Sequence, residues 1–320
     1  MRALKAGIKR KWTRGCFRGH TGFEESPMRC AAIILVLGLG GSAPFFASTP
    51  IPYAGHCLVL DRVAAAASDP RTRSFAIDSL EKIALGRVAS VSAELEAALG
   101  EKAGVFQAKG YTDPPARACA VRSIGRTALD EAVDFLAKLT PADVGPDPSG
   151  AVWSAAQIAL QDAQFRKITD PYMKTKFLEG ILAGTRDGRG PVPAWAVDEL
   201  CERGAQKSLP LIQSSIRHMW SGQYGEDEIE FCEARIRVIM SNPDRVKALA
   251  SVLAVGDDAA NTRLVTWAVN GLNSMKIPTA DAEVDRFARE IDRLPEGSPA
   301  KDRLGIYRME IRYLQAERVQ

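Results

Sequence analysis

Residues 116–139 constrain the fold of this chain more than any other segment, because they carry the pattern of two consecutive amphipathic helices. In the first helix, Ala120, Val121, Ile124 and Ala128 follow the three-to-four-residue spacing of one helix face. A face of this kind is buried against other helices. The segment therefore predicts an all-α fold built from packed helix pairs.

Small and charged residues of the same helix refine this prediction. Gly125 and Ala128 have little or no side chain, so a neighbouring helix is expected to approach closely there. The arginines fall mostly on the other faces of the helix: Arg117, Arg122 and Arg126.

The second helix begins with the acids Asp130 and Glu131, which suit the positive end of the helix dipole. Its buried face is predicted to consist of Ala132, Val133, Leu136 and Leu139. Two helices joined by a short turn cannot bury both apolar faces alone, which indicates stacking against similar pairs.

This two-helix unit resembles a HEAT-like repeat. Weaker examples of the pattern, an apolar helix with a glycine near its end followed by a second apolar helix, occur at 200–212 and 264–272. The resemblance covers most of residues 57–294 and implies an α-solenoid of stacked antiparallel helix pairs, which acts as a protein-binding scaffold. Some HEAT-like relatives are chromophore lyases or their helpers, but this sequence has no catalytic motif of those enzymes.

Helical periodicity continues along the chain, and no run shows the alternation of a strand. The predicted helices cover 57–67, 70–87, 90–99, 115–127, 130–139, 150–168, 171–183, 193–203, 206–220, 226–240, 243–254, 258–274, 280–294 and 299–317.

An apolar, uncharged run at 31–41 follows Arg29 and precedes small residues and proline. This order is typical of an export signal peptide. The run is shorter than the roughly 20 residues that a membrane span needs, and no basic cluster follows it. We therefore expect a cleaved signal, no stable membrane span after cleavage, and a periplasmic or extracellular bacterial protein.

The domain boundary follows from the expected cleavage. If translation starts at Met28, the residues before it are an upstream extension. The alternative is that they form a long basic n-region of the signal peptide. Cleavage before Pro44 is one possibility, and cleavage before Ser48 is preferred. The chain then divides into an extension and signal at 1–47 and a HEAT-like domain at 48–320.

The charge balance argues against nucleic acid as a partner. Residues 1–30 carry eight Lys and Arg against two Glu, whereas the net charge of the whole chain is only +3. The remainder is therefore acidic overall, and it has no cationic excess to bind phosphates.

Catalytic and metal-binding signatures are absent from the sequence. Beyond the signal only His56 and His218 remain as histidines, which excludes a histidine-rich metal site. The common zinc, serine-hydrolase and nucleotide-binding motifs do not occur. We expect no cofactor and no metal.

Four cysteines remain beyond the signal: Cys57, Cys119, Cys201 and Cys232. An even number is compatible with disulfides in an oxidising compartment. Cys201 and Cys232 are 31 residues apart. That interval is about one repeat, so they can lie on equivalent helices of adjacent units and form a disulfide. The alternative is that all four are small buried thiols.

Residues 218–228 have the composition of a contact site, in a predicted glycine-containing connection between two helices. The candidate binding residues are His218, Trp220, Tyr224, Glu226, Asp227 and Glu228. The two aromatic rings can stack on a sugar or peptide ring, and the acids can receive a cation. In the alternative interpretation, Trp220 closes a helix core and the acids stabilise the N-terminus of the next helix.

The sequence thus predicts an exported, non-enzymatic scaffold that binds another protein through a solenoid surface. The alternative is an envelope-associated enzyme or saccharide-binding protein that uses the connection at 218–228, with an acid as proton donor or acceptor. No catalytic residue is assigned.

Overall fold

The protein is described here in a computed structural model. The described residues are 51–88, 95, 112–185, 190–253, 262–275, 277–302, 304, 305, 307, 308 and 311. They lie in one unit, which begins at Thr49. The predicted signal at 1–47 and the predicted helix at 90–99, apart from Leu95, lie outside these residues.

The described part of the chain is helical and contains no strand, which confirms the predicted all-α class. Its α-helices are α1 Ile51–Ala66, α2 Arg73–Ala84, α3 Pro114–Thr127, α4 Asp130–Lys138, α5 Ala151–Lys167, α6 Pro171–Gly184, α7 Pro191–Glu202, α8 Leu209–Met219, α9 Gln223–Ser241, α10 Arg245–Ala250, α11 Thr262–Met275 and α12 Pro278–Arg293. A 3-10 turn, Gln206–Ser208, precedes α8, and further helical residues occur between 299 and 311.

The odd-numbered helices pack in sequence against one another. α1 contacts α3, α3 contacts α5, α5 contacts α7, α7 contacts α9, and α9 contacts α11. The even-numbered helices pack beside this row, each against one or both of its odd-numbered neighbours. Each odd-numbered helix therefore packs against a helix adjacent to it in sequence and against the neighbouring odd-numbered helix of the row.

Local signals explain several helix starts. Asp113 and Asp170 precede prolines at the first turns of α3 and α6, and their carboxylates accept hydrogen bonds from backbone N–H groups of those turns. The predicted start of a helix at residue 70 is wrong. α2 begins at Arg73, because the chain turns before it and the Thr72 hydroxyl donates to the Ala66 carbonyl at 2.6 Å.

The core contains the apolar face predicted for α3. Ala120, Val121 and Ile124 are fully buried, and Gly125 lies against Ala159 of α5. Ala128 has a different role from the one predicted. It adopts the left-handed conformation, with φ of 52°, and ends α3.

Arg117 is buried, although the arginines of this helix were expected mostly on faces other than the buried one. Its Nε–H donates to the carbonyl of Ala84, at the C-terminal end of α2, over 3.1 Å. The same guanidinium donates to the Val144 carbonyl. A cation at a helix C-terminus satisfies carbonyls that the helix itself leaves unpaired, so Arg117 joins α3 to α2.

Both cysteine pairs connect neighbouring helices of the odd-numbered row. Cys57 of α1 is joined to Cys119 of α3, with Cα atoms 5.0 Å apart. Cys201 of α7 is joined to Cys232 of α9, with Cα atoms 5.7 Å apart. The second pair is the one that the 31-residue interval indicated.

Among the described residues, no helix combines the length and apolar character that a bilayer crossing requires.

Candidate functional site

The connection between α8 and α9 is shorter than predicted. α8 ends at Met219 and α9 begins at Gln223, so only residues 220–222 lie between them. Gly222 adopts a positive φ of 70° before the helix. Gly225 permits the close turn, because a Cβ there would lie 2.5 Å from the Trp220 carbonyl oxygen. Most of the predicted site therefore occupies the first turns of α9 rather than a loop.

The two aromatic residues of the site contact each other. The rings of Trp220 and Tyr224 meet edge to face with centroids 5.9 Å apart. Trp220 is half-buried and packs against the core, whereas Tyr224 is 39% exposed. Partial burial, followed by a hydrogen bond to the Glu228 carboxylate, raises the pKa of the Tyr224 phenol. Tyr224 therefore stays neutral and presents the accessible part of this aromatic pair.

The three acids point toward different partners. Glu226 accepts a hydrogen bond from Arg217 of α8 at 3.1 Å, and Asp227 accepts one from Gln223 at 2.7 Å.

Glu228 is buried and pairs with Arg263 of α11 at 2.8 Å. The three carboxylates do not converge on one point. In the described part of the chain, no group of three or more His, Cys, Asp and Glu side chains is placed to hold a metal ion. His218 is exposed on α8.

Glu228 belongs to a stripe of side chains along one face of α9. Tyr224, Glu228, Phe231 and Arg235 are separated by four, three and four residues, which aligns them on one side of a helix. This stripe faces both neighbouring odd helices. The stripe joins the predicted contact residues to a cluster of charged side chains around Arg235. The sequence pattern did not predict this cluster.

Arg235 lies at the centre of that cluster and is only 5% exposed. Its Nη1 donates to Oδ1 of Asp198 at 2.6 Å, and its Nη2 donates to Oε1 of Glu202 at 2.5 Å. Burial by itself would lower the pKa of the Arg235 guanidinium, but the two carboxylates outweigh burial and raise it. Arg235 thus remains a cation that joins α9 to α7.

Glu202 also binds groups from two further elements. Arg245, at the start of α10, donates to its Oε2 and to its backbone carbonyl, and the indole Nε1 of Trp267 in α11 donates to its Oε1. The guanidinium of Arg235 lies 5.4 Å from the centre of the Trp267 ring. One carboxylate therefore connects α7, α9, α10 and α11.

Arg263 completes the contact between α9 and α11. Besides pairing with Glu228, its guanidinium lies 4.2 Å from the centre of the Phe231 ring, within range of a cation–π interaction. We name the connected set the α7–α9–α11 ladder, and its residues are Asp198, Glu202, Tyr224, Glu228, Phe231, Arg235, Arg263 and Trp267.

The ladder has a buried centre and an accessible edge. The side chains of Asp198 and Arg263 are 37% and 48% exposed, whereas that of Arg235 is 6% exposed. Carboxylate, guanidinium and phenol groups therefore reach the surface from a rigid, hydrogen-bonded base. An arrangement of this kind suits recognition of a polar surface, since its side chains are already ordered.

Glu199 adjoins the ladder on α7. Burial, followed by the negative charges of Asp198, Asp162 and Glu202, raises the pKa of Glu199 to about 7. The positive charge of Arg166 acts in the opposite direction, but its guanidinium already pairs with Asp162 at 2.9 Å. Glu199 is therefore a carboxyl whose charge changes near neutral pH.

By sequence alone, Arg235 fits a solvated helix face and Trp267 fits an apolar core position. One feature of the sequence does point to the ladder: Asp198 and Glu202 are four residues apart, and so are Arg263 and Trp267. That spacing places each pair on one helix face, but it does not identify the helix that the face contacts.

The fold and the site together define an all-α protein with two disulfide-linked helix pairs and a charged, aromatic surface on three neighbouring helices. No protein-family model, curated protein or solved structure matches this chain.

Proposed function

We propose that this chain is an exported, non-enzymatic scaffold of HEAT-like helix pairs that binds another protein. The observation that supports it is the packing of each odd-numbered helix against the next one, with the even-numbered helices beside them. This connectivity is the one that an α-solenoid requires, because each pair buries its apolar face against its neighbours.

Export is supported by the cysteines and by the N-terminal sequence. Disulfides persist in oxidising compartments and are rare in a reducing cytosol. Both pairs, Cys57 with Cys119 and Cys201 with Cys232, are at bonding distance. The preferred cleavage before Ser48 lies just ahead of α1, so it would leave the described helices intact.

The surface proposed for partner binding is the α7–α9–α11 ladder with the neighbouring residues Trp220 and Asp227. Arginine, tyrosine and tryptophan are enriched where proteins bind each other, and they dominate the energy of binding. Here Tyr224, Arg263 and Asp198 are accessible and held by buried neighbours. Preordered side chains lose little conformational freedom on binding, so the surface favours a protein partner.

The test is affinity purification of the full chain from envelope extract, followed by measurement of the affinity for any stoichiometric partner. Tyr224→Ala combined with Asp227→Ala should weaken that affinity about ten-fold or more, because truncating an accessible anchor removes contact area. The melting temperature should fall only slightly. Tyr172→Ala is the matched control, since Tyr172 is 65% exposed on α6 and lies outside the ladder.

Two outcomes would count against this proposal. Unchanged affinity in the Tyr224→Ala/Asp227→Ala variant would reject the surface around Tyr224 as the interface. A rise in melting temperature with saccharides, without any protein partner, would instead favour an envelope enzyme or saccharide-binding protein. The diverging carboxylates of Glu226, Asp227 and Glu228 offer no pair placed on two sides of one bond.

A further inference from the structure

A groove of about 350 Å³ lies between α2 and α4, away from the residues of the ladder. Its lining includes Pro70, Arg73, Ile77, Asp78, Glu81 and Glu131. All but Glu131 come from α2 or the turn before it, and Glu131 comes from the first turn of α4. The groove therefore combines apolar contact area with carboxylates from two helices.

The charges of the groove are only partly compensated by the residues that the structure describes. Asp78 pairs with Lys82 at 2.8 Å. Arg73 donates its Nε–H to the Ala67 carbonyl at 3.1 Å and forms no ion pair with the acids of the groove. Glu81 and Glu131 make no ion pair with any residue that the structure describes. Two carboxylates thus face the groove without a cationic partner among those residues.

Glu81 is the more enclosed of these two acids. It is half-buried, and burial together with the nearby charge of Asp78 raises the pKa of its carboxyl. A carboxylate in that position is poorly solvated and repelled by its neighbour, so an incoming positive charge would stabilise it. The electrostatic preference of the groove is therefore for a cation.

The apolar part of the groove specifies which kind of cation fits. Ile77, which is only 7% exposed, and Pro70 both line the groove. Lysine and arginine carry an aliphatic stem below a charged head, and they bury that stem on apolar surface. We propose that the groove binds a lysine or arginine side chain carried by a segment of the partner protein. The stem lies on Pro70 and Ile77, and the charged head lies between Glu81 and Glu131.

This inference rests on the proposed function, since it assigns chemistry to the partner, but it uses a different surface. A metal ion is a poorer occupant than an organic cation, because the described residues contain no group of three possible ligands. An organic cation needs only the two carboxylates and the apolar stem contact, both of which the groove provides.

The test uses the full chain with its disulfides formed and with isoleucine methyl groups labelled for NMR. Ile77→Val assigns the Ile77 signal. The probe is the peptide acetyl-Gly-Lys-Gly-amide, and the same peptide with norleucine in place of lysine keeps the stem but removes the charge. The lysine peptide should shift the Ile77 methyl signal saturably, with a dissociation constant on the order of 1 mM. The norleucine peptide should bind at least about five-fold more weakly.

Variants of the acids make the test specific. Glu81→Gln combined with Glu131→Gln should weaken the lysine peptide about five-fold or more. Asp134→Asn is the matched control, because Asp134 is exposed on α4 and does not line the groove. If the double variant does not fold, the single variant Glu81→Gln, whose melting temperature should be unchanged, provides the test instead.

The inference is overturned if the Ile77 signal does not move with the lysine peptide, or if it moves equally with norleucine. It is also overturned if the glutamine variants bind as the unmodified chain does. Its failure is separable from that of the proposed function. A partner whose affinity depends on Tyr224 would leave the scaffold proposal standing while these peptides reject the groove.

Discussion

Gly125 of α3 lies directly against Ala159 of α5, with no room for a side chain between the two helices. A Cβ atom on Gly125 would lie 2.6 Å from the Ala159 carbonyl oxygen and 2.9 Å from its Cβ. Real Cβ atoms do not approach neighbours so closely. The missing side chain at Gly125 therefore sets the distance between α3 and α5, and with it the packing of the buried residues around them.

Gly125→Ala should destabilise the protein by about 1–3 kcal/mol, because the added methyl group must push α3 away from α5. Gly180→Ala is the control, since Gly180 lies within α6 and nothing lies within 4 Å of the corresponding Cβ. That change should stabilise the protein by about 0.5–1 kcal/mol through helix propensity. Urea denaturation measures both. Equal effects at the two positions would contradict the close packing.

Ile124→Ala should lower the free energy of unfolding by about 2–5 kcal/mol, because Ile124 is completely buried and its truncation leaves a cavity. Ile277→Ala serves as the comparison. Ile277 is 41% exposed before α12, so its truncation should change stability by less than about 0.5 kcal/mol. A change below that level at Ile124, measured by chemical denaturation, would disprove the assignment of this helix face to the core.

Arg235→Ala should cost about 3–5 kcal/mol of stability, because it leaves the carboxylates of Asp198 and Glu202 without their buried partner. Arg237→Ala removes the same charge from an exposed position two residues further along α9 and should be nearly neutral. Denaturation curves of the two variants provide the measurement. Matching curves would show that the cation of Arg235 is not essential to the ladder.

The two cysteine pairs should protect the protein against denaturation. In the chain-entropy model, loss of the Cys201–Cys232 bond lowers stability by about 3–4 kcal/mol, and loss of Cys57–Cys119, which closes a longer loop, by about 4 kcal/mol. Double alanine variants of each pair test this in urea. Four reactive thiols from these residues in the unreduced, denatured protein would exclude both bonds.

Stability should fall as pH rises through the interval from about 4.5 to 7, through the titration of Glu199. Its pKa is raised from 4.5 to about 7 in the folded protein, so the folded state keeps a proton that the unfolded chain has lost. Glu199→Gln should remove this part of the pH dependence and stabilise the protein at pH 8 relative to the unmodified chain. Urea denaturation at several pH values checks it, with Glu230→Gln on the exposed face of α9 as control. A parallel pH profile in both variants would contradict the assignment.

Sequence alone was sufficient where the structure depends on neighbours along the chain. The apolar spacing of Ala120, Val121 and Ile124 located a buried helix face, and the N-cap residues Asp113 and Asp170 lie at helix starts together with the prolines that follow them. These features depend on a helical period and on caps within a few residues. They can therefore be predicted without knowing which helices pack together.

The tertiary structure determined which charged residues are buried and which are exposed. Arg117 and Arg235 have the same local pattern as solvated arginines, yet both are buried. Their partners, the Ala84 carbonyl and the Asp198 carboxylate, lie 33 and 37 residues away in the sequence. Only the packing of non-adjacent segments brings such groups together and offsets the cost of burying a charge. The same reason explains why helical periodicity predicted the helices of the ladder but not the ladder itself.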